Sequence, residues 1–461
     1  VIKEGIPPVF ASVIFLTIHK ELIVSMMLDG NGHSFDYRVE ITGLLQKKSQ
    51  LKAVIRFLDR TPDGTKEISY RWFNSDKKEG TYSQVIGAYQ DRLPLAASSV
   101  GRYYKCEVTV GSSQDGGQQT VISEAAGPIG DVAGNPNTDW LLKAKYGISH
   151  HLLAEFMNRV AAEPGDKWQP GEAWDDVING FDVNGYVQQV VETGAGFVIL
   201  TLGQNSGYLL SPNETYDRIA GVKPGERAST RDLPMEIADA LAPHGIKLIL
   251  YSPANPPSKA HKDDEDFAIN KAFDYPVEIA PSQETQAKWQ AVIQEWSDRY
   301  GDKVAGWWFD GMWFQDAYND LTRKYNWYSL VNAAKSGNVS RIIAFNSGIG
   351  SSILVNSPFE DYIAGETNEI GPLPHHVRWA DEANGVQWFH WTFLGEFVKD
   401  LAGWGNTGLS WSTPDILQWV TETVSRQGVI ALDIHVNRFG RMDPQQMEQL
   451  KALKENLHQL N

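Results

Sequence analysis

The sequence predicts a mixed α/β fold, a (β/α)8 TIM-like barrel preceded by a small antiparallel β-sandwich. Two observations carry that prediction. Up to about residue 130, short runs alternate apolar and polar residues between turn clusters. From Trp140 onward, apolar β-rich runs alternate with helical patterns, and there are eight such runs.

The N-terminal runs are Leu51–Phe57, Ile68–Phe73 and Gly101–Val110, separated by turn clusters at Thr61–Gly64 and Ser112–Gly117. Period-two alternation with regular turns is the pattern of an Ig-like sandwich. Gly127–Pro136, rich in Gly, Pro and small residues, reads as the linker. Residues 1–130 are therefore expected to form an accessory sandwich and 131–461 a catalytic barrel. The length of 461 residues suits such a pair. Cys106, the only cysteine, falls in an alternating run and reads as a buried thiol.

The eight runs are Ala144–His151, Gly196–Leu202, Ile246–Tyr251, Val304–Asp310, Arg341–Asn346, Asp361–Ala364, Gly385–Phe393 and Val429–Ile434. Helical periodicity fills the intervals at Asp182–Glu192, Asp232–Leu241, Gln286–Arg299 and Pro414–Arg426. An open doubly wound sheet is the alternative, but no Gly-rich phosphate loop follows the first run. In a barrel, function gathers at the C-terminal ends of the strands. Those ends carry His150, His151, Gln204, Asn205, Tyr251, Asp310, Asn346, Glu366, His390, Asp433 and His435.

Carboxylates, amides, imidazoles and aromatics on one rim suit an oligo- or polysaccharide substrate. The sixteen tryptophans point the same way, because a pyranose C–H face stacks on an indole. A formal charge of −16 argues against nucleic acid or an anionic membrane as the main partner. Val9–Ile18 is apolar but too short to span a membrane and lacks the flanks of a signal peptide. An enzyme of this class is expected to be secreted or periplasmic. His375 and His376 adjoin without a third ligand at suitable spacing, so neither a metal nor a cofactor is expected.

From about Trp140 to His458 the chain resembles glycoside hydrolase family 29, the α-L-fucosidase family. Trp140–His151 (WLLKAKYGISHH) is similar to the family's opening strand, which ends in a substrate-contacting His. Phe181–Thr201 resembles its second strand and preceding helix. Val304–Gly311 (VAGWWFDG) is similar to the strand whose W-F-D-G Asp is the family's nucleophile. Val420–Leu453 resembles the closing strand and helix. Three departures stand beside these matches. The second strand ends GQNSGY at Gly203–Tyr208 where the family has K-H-H-D-G-F. The closing L-L-N-I-G-P becomes Ala431–Val436 (ALDIHV), and the W-E-x-C motif has only the poor counterpart Trp379–Glu382. These departures point to a different glycone, linkage or cleavage mode.

The resemblance implies a retaining hydrolase of α-linked fucose or a related deoxysugar, with Asp310 as nucleophile. Its proton donor is sought among Glu366, His390 and Glu369, with Glu382 and Glu396 as outsiders. His151, Gln204, Asn205, Tyr251, Trp308 and Trp391 are the expected substrate contacts, and one of His150 and His151 should face away from the pocket. Three other outcomes stay open: an endo-acting fucan-type hydrolase with a His acid/base, a catalytically inactive carbohydrate-binding barrel, and a barrel hydrolase for another sugar.

Overall fold

The computed structural model describes residues 37–58, 66–112, 118–157, 167–169, 171–257, 266–275, 279–350, 354–398 and 402–459. Val9–Ile18 and the turn at Thr61–Gly64 lie outside the described residues, as does most of Ser112–Gly117.

Seven strands come first: β1 (Tyr37–Thr42), β2 (Gln50–Phe57), β3 (Lys66–Ser75), β4 (Ser83–Gln84), β5 (Arg92–Pro94), β6 (Tyr103–Ser112) and β7 (Gln118–Ile122). They form two antiparallel sheets, ordered β1-β2-β5 and β4-β3-β6-β7. Leu51, Trp72, Cys106, Val108 and Val110 fill the space between them without exposed surface. Burial there pushes the Cys106 thiol up to about 12, so it is inert. The expected linker is pinned rather than free, because Ile129 is buried in this same core and the Gly130 N–H bonds the Leu45 carbonyl.

The later strands are β8 (Tyr146–His150), β9 (Phe197–Thr201), β10 (Lys247–Pro253), β11 (Val304–Asp310), β12 (Ile342–Phe345), β13 (Trp379–Asp381), β14 (Val386–Gln387), β15 (Phe389–Phe393) and β16 (Val429–Asp433). Seven of them make one curled parallel sheet, β12-β11-β10-β9-β8-β16-β15, consistent with a (β/α)8 barrel. The sixth expected strand is not regular. Asp361–Glu366 instead joins both edges through single links: the Asp361 N–H to Ile343 O at 2.8 Å, and bridges Tyr362–Gln387 and Glu366–Trp391. Gly365 explains the break, since it takes φ +64° and a Cβ there would meet the Phe389 carbonyl oxygen at 2.1 Å. Helices cover the outer face; Asp182, Asp232, Ser282 and Ser412 cap four of them, beside the helical patterns read from the sequence.

Strand side chains sort by parity into two cores. Ile199, Ile249, Tyr251, Trp308, Ala344, Trp391 and Ala431 fill the inside of the curl. Their neighbours Leu200, Leu250, Trp307, Phe309, Phe345 and Leu432 pack outward under the helices.

The N-terminal sheets grip the curled parallel sheet around that irregular sixth segment. Lys48 Nζ donates to the carbonyls of Glu360 at 2.7 Å and Pro358 at 3.2 Å. Burial pulls the Lys48 ammonium down to about 8, against the charge of Asp361. Asp361 accepts from Lys335 Nζ and Asn135 Nδ2, each at 2.8 Å, and from the Ile343 N–H at 3.0 Å. Lys335 and Asp361 are 7% and 0% exposed. Removing one member of such a pair strands a buried charge. Lys335→Met should therefore lower the unfolding free energy by about 3–5 kcal/mol in denaturant titrations. Lys303→Met, which breaks the solvated Lys303–Asp239 pair, should leave the midpoint nearly unchanged.

Candidate active site

The inward parity of the strands delivers a set of polar side chains to the C-terminal rim. Asp310 ends β11, Asn346 follows β12, and Glu366 follows the left-handed Gly365. Asn346 Nδ2 donates to Asp310 Oδ1 at 2.8 Å and to Glu366 Oε2 at 2.6 Å. The Gly348 N–H bonds Asn346 Oδ1 at 3.2 Å and so fixes which end of the amide faces the carboxyl groups. Bonds of 2.8 and 2.6 Å to one nitrogen keep the two carboxyl oxygens within 5.4 Å of each other.

Asp310 Oδ2 accepts from the Tyr251 hydroxyl at 2.5 Å, and Gln204 Nε2 donates to that hydroxyl at 2.5 Å. Both Asp310 oxygens thus accept, the pattern of an ionised carboxylate. Burial and the neighbouring Asp310 push the Tyr251 phenol far above its ordinary range, so it stays a donor.

Glu366 differs. Its side chain keeps some solvent exposure, yet its carboxyl group is enclosed. Burial, then the charge of Asp310, push it up to about 8, against the Asn346 hydrogen bond. The two carboxyl groups therefore differ: both Asp310 oxygens accept hydrogen bonds, whereas Glu366 is held toward its protonated form.

Across the pocket, His151 Nδ1 meets Asp433 Oδ2 at 2.9 Å, and its ring stacks between Phe156 and Trp391. Asp433 also accepts from Ser149 Oγ at 2.9 Å and from the Gly405 N–H at 2.6 Å. Burial works against the imidazolium, but Asp433 outweighs it, helped by Glu366 and Asp310, and the His151 pKa is raised.

The family model for α-L-fucosidase matches residues 134–460. The chain belongs to the α-L-fucosidase family. It is thereby a member of a glycoside hydrolase family, as the rim chemistry anticipates. No curated protein matches the chain. Among solved structures, the endo-fucoidan hydrolase MfFcnA4 from glycoside hydrolase family 107 is similar at a TM-score of 0.51 and 14% identity. That match covers 70% of this chain and 54% of the other, so it spans about half of that enzyme. Another family 107 endo-fucoidan hydrolase, P5AFcnA, is similar at 0.49 and 15%, covering 70% and 93%. The α-L-fucosidase AlfC from Lactobacillus casei, in complex with its α-L-fucose product, is similar at 0.44 and 16%, covering 71% and 99%. At 14% identity the likeness to MfFcnA4 is one of fold.

Within this α-L-fucosidase-family fold, the structure brings Asp310, Glu366, His151, Tyr251 and Gln204 together at one rim. Asn205 lies beside Gln204 in the loop after β9. His390 must be corrected. It has outward parity, stacks on Trp388 and meets Trp419 edge-on under helix Thr413–Ser425. Its Nε2 bonds Thr367 Oγ1 and the Glu369 carbonyl, and burial pushes it down to about 4. It therefore does not face Asp310. Trp308 and Trp391 are also corrected as ring-stacking surfaces. Both are 0% exposed, with indole N–H groups bonded to the Ala364 carbonyl and Ser149 Oγ, and they stack beneath Tyr251 and His151. Glu369, Glu382 and Glu396 are exposed. His150 points outward onto Tyr186, as the alternation required.

Asn346 and Asp433 were legible only as strand-end polar residues. Their roles as the carboxyl clamp and the partner of His151 come from register. Glu155, which accepts from Ser206 Oγ at 2.7 Å beside the Gln204–Asn205 loop, gave no sequence signal.

Because Glu366 binds its proton more tightly folded than unfolded, its contribution to stability is full below the ordinary value of 4.5. That contribution is lost as pH rises through about 8. Glu366→Gln should remove this loss. In melts between about pH 5 and pH 9, wild type should lose stability relative to the variant as pH rises. A constant difference would mean that the carboxyl is not raised.

Proposed function

We propose that the chain is a retaining hydrolase of α-linked fucose or a related deoxysugar in oligo- or polysaccharides. The observation that carries this reading is the Asn346 clamp, which pairs an ionised and a protonated carboxyl within 5.4 Å. Retaining glycosidases need roughly 5–5.5 Å between their two acids, and inverting ones need more.

Asp310 attacks the anomeric carbon as the glycosidic C–O bond breaks, and Glu366 gives its proton to the departing oxygen. Because Glu366 Oε2 accepts from Asn346, Oε1 carries that proton. In the second half, Glu366 takes a proton from water, the water oxygen attacks the anomeric carbon, and Asp310 leaves as carboxylate. Tyr251 and Asn346 hold Asp310 during both steps. His151, Gln204 and Asn205 bind sugar hydroxyl groups, His151 as a donor oriented by Asp433.

On this reading Asp361–Glu366 supplies the eighth position that closes the (β/α)8 barrel. The strands from Tyr37 to Ile122 form an Ig-like sandwich that braces the catalytic unit through Lys48 and Asp361. A polysaccharide substrate would place the enzyme outside the cytoplasm, secreted or periplasmic.

Asp310→Asn should cut turnover of an aryl α-L-fucoside on the order of a thousandfold or more, and NMR should find the α-anomer released first by wild type. Unchanged turnover in the variant, or initial release of the β-anomer, would sink the assignment. The kcat/KM profile should fall on the alkaline side near the Glu366 pKa of about 8, where the acid loses its proton. Glu366→Gln should abolish that limb and slow substrates with poor leaving groups about 10²–10⁴-fold.

A further inference from the structure

Of the sixteen tryptophans, Trp313 alone is exposed, at 57%. It lies three residues beyond Asp310. Among the described residues its indole stacks on no other ring, so its apolar face is open to solvent.

Its base is rigid. The Asp310 carbonyl accepts from the Ala254 N–H at 2.6 Å, and the Gly311 carbonyl accepts from Asn255 Nδ2 at 3.2 Å. The Met312 N–H donates to the Asn346 carbonyl at 2.6 Å, and the Met312 side chain is fully buried. The indole lies over two glycines. A Cβ on Gly311 would stand 3.8 Å from its six-membered ring, and one on Gly348 would stand 3.5 Å from its nitrogen.

The loop under the indole ties it to the proton donor. The Gly348 N–H bonds Asn346 Oδ1, and the Gly350 N–H bonds the Glu366 carbonyl at 3.1 Å. The loop beneath the plate therefore runs from Asn346, which bonds both acids, to the Glu366 backbone. On the proposed mechanism, the protonated leaving group departs beside Glu366.

We infer that Trp313 is the stacking platform for the sugar on the leaving-group side of the scissile bond. It thereby sets the preference for glycosides whose aglycone is a pyranose. The inference rests on the hydrolase reading above for what lies on either side of the bond. An indole offers a flat apolar face to pyranose C–H groups, and a platform fixed through its backbone loses little entropy on binding. The buried Trp308 and Trp391 have no face to offer, so this role falls to the one exposed tryptophan.

The test compares wild type, Trp313→Ala and Trp313→Phe on two substrates. One is an α-L-fucosylated disaccharide; the other is α-L-fucosyl fluoride, whose leaving group has no ring. Trp313→Ala should lower kcat/KM for the disaccharide on the order of tenfold and leave the fluoride within about twofold, with Trp313→Phe in between. Equal losses on both substrates, or no loss on either, would overturn the platform.

Calorimetry of the disaccharide against Asp310→Asn and Asp310→Asn/Trp313→Ala separates this from the hydrolase reading. Wild type inactive on both fucosides, with binding still weakened by loss of the indole, would remove hydrolysis and keep the platform. Turnover insensitive to Trp313 would do the reverse. Neither turnover nor binding would remove both.

Discussion

One amide holds the site together. Asn346 donates to two carboxyl groups, and two acids so close in a partly enclosed pocket cannot both ionise without large repulsion. The asymmetry of their surroundings decides which keeps its proton. Asp310 receives a second hydrogen bond from Tyr251, whereas burial and the Asp310 charge act together on Glu366. The clamp is itself clamped. Gly348 fixes its oxygen, and its backbone bonds both the Phe309 carbonyl and the Met312 N–H. Gly365 lets the chain carrying Glu366 pass within touching distance of β15. Each of these supports serves one distance, the one between two carboxyl oxygens.

The seven regular barrel strands and the helices between them were legible because buried parallel strands are near-continuous apolar runs and helices repeat every 3.6 residues. Asp310 was legible from its strand end, and the His150–His151 pair was read correctly from alternation. The same period of two would have turned His390 outward. Trp391 shares its strand, and only one of two adjacent residues can face the curl. The misreading came from treating the strand end as a point rather than a register. Trp308 and Trp391 were misplaced for a related reason. Inward parity near the rim is shared by a floor and a wall, and depth along the strand decides between them.

Other features were not legible, because they depend on pairs far apart in sequence. Nothing local marks Lys48 as the residue that enters the barrel 312 positions away, or Asn135 as a ligand of Asp361. The irregular sixth segment was read as a strand because its apolar content is right. Its ladder is reduced to isolated bridges, and at Gly365 the backbone turns to a positive φ where a Cβ would strike the neighbouring strand.

The departures from the family pattern have a common electrostatic sense. Where the family's second strand ordinarily ends in two histidines, this chain has Gln204 and Asn205. Gln204 still donates to the Tyr251 hydroxyl, so the hydrogen-bond chain from amide to phenol to Asp310 is complete. An amide does this without a titratable proton, and Tyr251 is held far above any working pH. The imidazolium form is instead favoured at His151, where the change from Asn to Asp433 in the closing strand supplies a buried carboxylate partner. A cation fixed there lowers the pKa of Glu366 against the opposing push of Asp310. The acid thus sits between a carboxylate that raises its pKa and an imidazolium that restrains it. On the proposed mechanism, that balance, rather than burial alone, keeps the proton donor usable near neutral pH.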